Sequence, residues 1–145
     1  ELALAQISGY WPEARESFKA KLIELEKGGY VFKLDFIVYV LLGCLHNMGS
    51  KMEKLHSSDN LENLKEAWER LSTHTLDYVC NIMKSQAYID HTKEINSVYA
   101  LIPVIVYAFN KGKAPLNQLE IKKAMNIIHC HCCPYSQRRR SQRST

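Results

Sequence analysis

At 145 residues, 46% of them apolar and 23% charged, the chain has the length and composition of one globular domain and lies outside the disordered class. Its formal charge of +4 is concentrated: Arg138, Arg139, Arg140 and Arg143 belong to the 19 basic residues, and the other 15 match the 15 acids. A neutral body is not built as a phosphate-binding surface, so any nucleic-acid contact is confined to those four arginines.

The opening stretch, ELALAQISGYWPEAR, starts in mid-helix with no initiator Met, N-cap or basic signal-peptide region, and reads as a piece of something longer. A helix that has lost its neighbour should leave Leu2, Leu4 and Ile7 as an apolar patch, through which the chain would self-associate. Gly9 breaks the pattern, and Pro12 suits the first turn of a second helix with Ala14, Phe18, Leu22 and Leu25 on one face. Along it Glu13, Glu16, Glu24 and Glu26 alternate with Arg15, Lys19, Lys21 and Lys27, the pattern of a solvated face. Gly28-Gly29 ends that helix. Leu34 and Asp35 start a third one that runs to Gly49, and 50–58 reads as a loop.

Asp59 and Glu62 have capping-box spacing, and Leu61, Leu64, Trp68, Leu71, Thr75, Tyr78 and Ile82 then recur three and four apart, which predicts the longest helix over roughly 59–86. Leu76, Val79 and Met83 widen its stripe into that of a core-facing bundle helix. Residues 97–110, SVYALIPVIVYAFN, have strand-like composition. Their length, and the lack of an alternating partner segment, favour a helix with Pro103 in the first turn or at a kink. Asn117 with Glu120 marks another capping box, and Ile121, Ala124, Met125 and Ile128 are the buried face of a last helix. The apolar runs from Phe36 to Leu45 and from Val98 to Phe109 fall short of the about 18 uncharged residues that span a bilayer, so they are core helices covered by the others and no membrane partner is expected.

The tail HCHCCPYSQRRRSQRST carries the residues most suggestive of chemistry. His129, Cys130, His131, Cys132 and Cys133 are zinc-ligand types, and Cys130 and Cys133 have C-x-x-C spacing. Adjacent residues cannot all face one tetrahedral ion, and no second ligand pair follows, so neither a metal nor any other cofactor is assigned. The redox alternative is weaker still, because a thioredoxin-type C-x-x-C precedes a helix and gains acidity from its N-terminus, whereas this one follows a helix. His46, His56, His74 and His91 share no helical face, and phosphate-loop and nucleophile-elbow motifs are absent, so no catalytic residue is assigned and the chain is not expected to be an enzyme by itself. Five cysteines, an odd count with no signal-like segment, favour a reducing setting and hence the cytoplasm. The expected architecture is an all-α, bundle-like single domain of about six helices over 1–128, with a disordered Cys/His- and Arg-rich tail over 129–145.

ELALAQISGYWPEAR, GGYVFKLDFIVYVLLGC, the Trp68 helix, YALIPVIVY and LNQLEIKKA, in this order and covering about residues 1–125, resemble the helical domain of the ParB-like nuclease-associated family. That family includes the N-terminal half of GmrSD-type, modification-dependent restriction systems. In it a nucleotide-dependent module bearing a D-G-Q-Q-R motif precedes the helical domain; the motif has no counterpart here, so no active-site residue carries over. The resemblance implies the non-catalytic helical portion of a phage-defence protein, one that supports an absent ParB-like module and contacts DNA through the full-length protein. The alternative is a stand-alone helical protein-protein interaction domain with no nucleic-acid role.

Overall fold

The computed structural model describes residues 2–47 and 58–131. Among them the regular elements are all helices, without a strand. The helices are α1 (Leu2–Tyr10), α2 (Ala14–Lys27), α3 (Leu34–Asn47), α4 (Ser58–Arg70), α5 (Leu76–Ser85), α6 (Ile102–Asn110) and α7 (Gln118–Cys130). A π-helical segment, Leu71–Thr75, joins α4 to α5, so the described residues form six helical rods, as the sequence predicts. No described helix is long and apolar enough to cross a membrane.

Gly9 does not stop α1: the helix runs through Tyr10, and the Trp11 amide still donates to the Ile7 carbonyl at 2.8 Å. Nor is the first helix stranded. Ile7 is buried and Ala3 and Leu4 pack partly against the core, which removes the reason to expect self-association through this face. The side chain of Leu2 lies outside the described residues.

On α2 the buried stripe is Ala14, Phe18, Lys21 and Leu25, with Leu22 only half-buried, so a lysine occupies a core position that the sequence assigns to a solvated face. Its partners explain it. The Lys21 ammonium donates to both oxygens of Asp77 on α5, at 2.8 and 2.9 Å, and to Glu24 at 3.1 Å. Burial alone would pull its pKa down; these bonds outweigh it and hold the proton above the ordinary lysine value. Being a raised pKa, its contribution is complete below the ordinary value and is lost as the pH climbs past it. Breaking a fully buried pair by removing one member costs about 3–5 kcal/mol; Asp77 is half-exposed and Glu24 remains, so Asp77→Ala should cost about 2 kcal/mol and lower Tm by roughly 6 °C. Lys21→Met, which leaves no buried charge, should cost less than about 1 kcal/mol. Thermal melts of the two variants check the order, and equal losses would contradict it.

The α2 terminus is a Schellman turn: Gly29 takes φ +96°, the Gly29 amide donates to Glu26, and the Tyr30 amide reaches back to Leu25 at 3.0 Å. Onto this turn docks the irregular segment 86–96, which has no sequence periodicity. The Tyr30 hydroxyl donates to the Ile89 carbonyl at 2.8 Å, the Thr92 amide to the Gly29 carbonyl at 3.2 Å, and the Val31 amide to the Thr92 hydroxyl at 3.0 Å. A neutral phenol suits this role, and burial pushes the Tyr30 pKa far up.

The stripe predicted from Leu61 to Ile82 holds, with Leu64, Trp68, Leu71, Thr75 and Ile82 buried. What the sequence does not announce is the π turn at its middle, where the Leu76 amide bonds to the Leu71 carbonyl. One extra residue rotates the following face by about 100° and brings Leu76, Val79 and Met83 inward. Arg70 enters the turn with its guanidinium 4.1 Å from the centre of the Phe109 ring and Nη2 donating to the Phe109 carbonyl at 3.0 Å, which caps the end of α6. The expected Asp59–Glu62 capping box needs the Asp59 side chain, which lies outside the described residues, as do Gly49 and residues 50–57, while α4 begins at Ser58.

Residues 97–110 are helical, a 3₁₀ turn (Val98–Leu101) followed by α6, with Pro103 in the first turn, where its missing N–H costs no bond. α3 and α6 pack together so closely that a Cβ on Gly43 would sit 3.0 Å from Val106. They are not wholly covered: Tyr39 and Tyr107 face solvent. The predicted capping box of α7 is present, with the Glu120 amide donating to Asn117 at 2.9 Å and the Asn117 amide to Glu120 at 2.7 Å. Ala124 and Ile128 are buried while Ile121 and Met125 are half-buried, and α7 continues through His129 and Cys130, which belong to the helix rather than to the tail.

Candidate functional site

Where α1, α2 and α3 meet, a cleft of about 460 Å³ opens between Ala3 and Leu4 of α1, Arg15 in the first turn of α2, and the start of α3 from Lys33 to Leu42. Arg15, three residues after Pro12, lines the cleft together with Leu34 and Asp35 of the first turn of α3. Leu4, Leu34, Val38 and Leu42 give the cleft an apolar floor, and Arg15, Lys33, Asp35 and Tyr39 supply polar groups around it. Asp35 is committed: one oxygen accepts from the Phe36 amide at 3.0 Å, the other from the Tyr99 hydroxyl at 2.8 Å. That hydrogen bond raises the Tyr99 pKa and keeps the phenol protonated. Arg15 and Lys33 have no ion pair among the described residues.

An aromatic ladder leads from the core to the rim. Phe32 stacks on Phe36 at 4.4 Å, Tyr99 meets Phe36 edge-on at 6.1 Å, and Tyr39 meets Tyr99 edge-on at 6.1 Å. The last two rings are 42% and 56% exposed, enough to offer contact surface to a ligand or partner. This arrangement can hold an anion and shelter apolar atoms beside it.

Of the tail residues singled out for chemistry, the described ones, His129, Cys130 and His131, do not line this cleft. Arg138, Arg139, Arg140 and Arg143, with Cys132 and Cys133, lie outside the described residues. His129 lies in the last turn of α7 with Nε2 3.5 Å from the Ala87 carbonyl, while Cys130 and His131 are exposed. No group of three or more His, Cys, Asp or Glu among the described residues could hold a metal ion. Cys44 and Cys80 are buried, and desolvation pushes both thiols up to about 12, which keeps them protonated and unreactive. Arg15 and Lys33 carry no signal of their own in the sequence, because the charge alternation of α2 hides the first and the second precedes a helix as an ordinary loop lysine.

A second concavity, of about 310 Å³, lies between α6 and α7, with Val104, Leu116, Ala124 and Ile127 as apolar walls. At its rim Glu120 accepts from the Tyr107 hydroxyl at 2.6 Å and pairs with Lys111 at 2.9 Å. The Tyr107 bond first, then the Asn117 amide and Lys111, hold the carboxyl down at about 2. A depressed pKa stabilises above the unfolded value and loses that contribution as the pH falls through the folded one, so the window runs from about pH 4.3 down to about 2. Melts of wild type and Glu120→Gln between pH 5 and about 2 should therefore converge at the acid end. A gap that persists unchanged would contradict this.

No protein-family model matches the chain, and neither a curated protein nor a solved structure is detectably similar to it.

Proposed function

We propose that the chain is the non-catalytic helical portion of a GmrSD-like phage-defence protein, a domain that supports and positions a ParB-like, nucleotide-dependent module in the cytoplasm and contacts DNA in the full-length protein. The observation that carries this reading is where the resembling segments lie. Trp11 and Ala14 from the first, Phe36, Leu41 and Cys44 from the second, Trp68, then Leu101 and Ile105, and finally Ala124 all enter one core. Motifs scattered over about 125 residues of sequence are therefore parts of one packing unit, which supports reading them together as one domain.

Association tests it. A separately purified module bearing the D-G-Q-Q-R motif, titrated with this chain in a calorimeter, should bind saturably at one-to-one stoichiometry. No association, together with a gene in which no such motif precedes Glu1, would leave the alternative of a stand-alone interaction domain. That alternative draws on a separate surface, where the exposed side chains of Ile23 and Val31 flank a shallow concavity of about 180 Å³ beside Leu22 and Phe32.

A further inference from the structure

Arg15 and Lys33 have no carboxylate partner among the described residues, and both line the same cleft. Asp35 lines it too, but its carboxylate is held by Tyr99 and by the Phe36 amide, and its charge offsets one of the two cations. Among the described residues the cleft thus keeps one uncompensated positive charge, beside the first turn of α3, whose Phe36 amide already serves Asp35. Beneath that charge the half-buried Leu4, Leu34 and Leu42 and the buried Val38 present apolar surface. Its volume of about 460 Å³ lies at the lower end of the range that encloses small organic ligands.

We propose that this cleft binds a single amphipathic monoanion, an aliphatic body of roughly ten carbons ending in a carboxylate, with the head held between Arg15 and Lys33 and the body laid over Leu34, Val38 and Leu42. A guanidinium receives a carboxylate in a two-pronged geometry, and the ammonium closes the other side as a point charge. One net positive charge matches a carboxylate better than a doubly charged phosphate. The apolar floor excludes small hydrophilic anions, which have nothing to bury there. This assignment goes beyond the family reading and does not rest on it.

The test is a calorimetric titration of the intact chain with octanoate, decanoate, decanol and decyl phosphate, each below its micellar concentration or, for decanol, below its solubility limit. Decanoate should bind saturably, about tenfold or more tighter than octanoate, because two further methylenes are buried. Decanol should bind at least about tenfold more weakly than decanoate, and raising NaCl from about 0.05 to 0.5 M should weaken decanoate severalfold while sparing decanol. In the Arg15→Gln, Lys33→Gln double variant, decanoate should fall to the affinity of decanol. Both side chains are exposed, so an unchanged melting curve will show that the fold is intact. The proposal is overturned if decanol and decanoate bind alike, if the double variant keeps its preference for the acid, if decyl phosphate binds more than about tenfold tighter than decanoate, or if nothing binds saturably.

Discussion

Phe18→Ala is expected to cost about 3–5 kcal/mol and to lower Tm by roughly 10 °C. Phe18 is fully buried, with Trp11 edge-on at 5.8 Å and Trp68 tilted against it at 4.5 Å. The ring therefore joins three stretches: the link between α1 and α2, α2 itself, and α4. Truncation removes the transfer free energy of the ring and two aromatic contacts worth about 0.5–1.5 kcal/mol each. It also leaves a cavity whose walls belong to different helices and cannot close without moving one of them. Set against a total stability of about 5–15 kcal/mol, this is the difference between a folded domain and a marginal one. Phe18→Leu, which keeps most of the volume, should cost about 1–2 kcal/mol. Urea titrations followed by tryptophan fluorescence will report both, and a loss below about 1 kcal/mol for the alanine variant would mean that the two indoles do not meet across this ring.

The second large effect is at Gly29. Its φ of +96° is one that side-chain-bearing residues rarely adopt, and a Cβ there would collide with the Asp90 carbonyl oxygen and approach His91 Nδ1 to 2.6 Å. Backbone strain of about 1–3 kcal/mol adds to the displacement of segment 86–96, giving an expected loss of about 2–4 kcal/mol for Gly29→Ala. Gly28 is the control. It has a helical φ of −83°, and its added Cβ would touch the Leu25 carbonyl at 3.3 Å, so Gly28→Ala should stay within about 1 kcal/mol of wild type. Amide exchange distinguishes local from global damage: in Gly29→Ala the Thr92 and Val31 amides, whose acceptors lie across this contact, should exchange faster than amides in α3 and α6. Equal losses at the two glycines would contradict the left-handed turn.

The helices, Pro103 in a first turn and the capping box of Asn117 and Glu120 were legible because each is set by residues within one or two turns of one another. The features that were not legible depend on distant partners. Lys21 reads as a surface lysine until Asp77, 56 residues away, is brought against it. The π turn at Leu71–Thr75 shifts the buried face to Leu76, Val79 and Met83, but apolar residues stand on the unshifted positions as well, so periodicity does not reveal it. Segment 86–96 has no period at all, and its place follows from Tyr30 and Gly29, which lie nearly 60 residues upstream. The cleft belongs to the same class: Arg15 and Lys33 acquire meaning only when α2 and α3 cross, and the tail arginines that stood out by composition fall outside the described residues.

The central functional claim, a domain that serves a nucleotide-dependent module without turning over substrate itself, meets its most direct test in one hydrolysis assay. Release of phosphate from GTP and ATP is measured, with metal supplied, for the chain alone, for a D-G-Q-Q-R-bearing module alone, and for the two together. The account predicts no turnover above buffer for the chain alone and a rate for the mixture that differs from that of the module. Turnover by the chain alone, or a mixture indistinguishable from the module by itself, would contradict it.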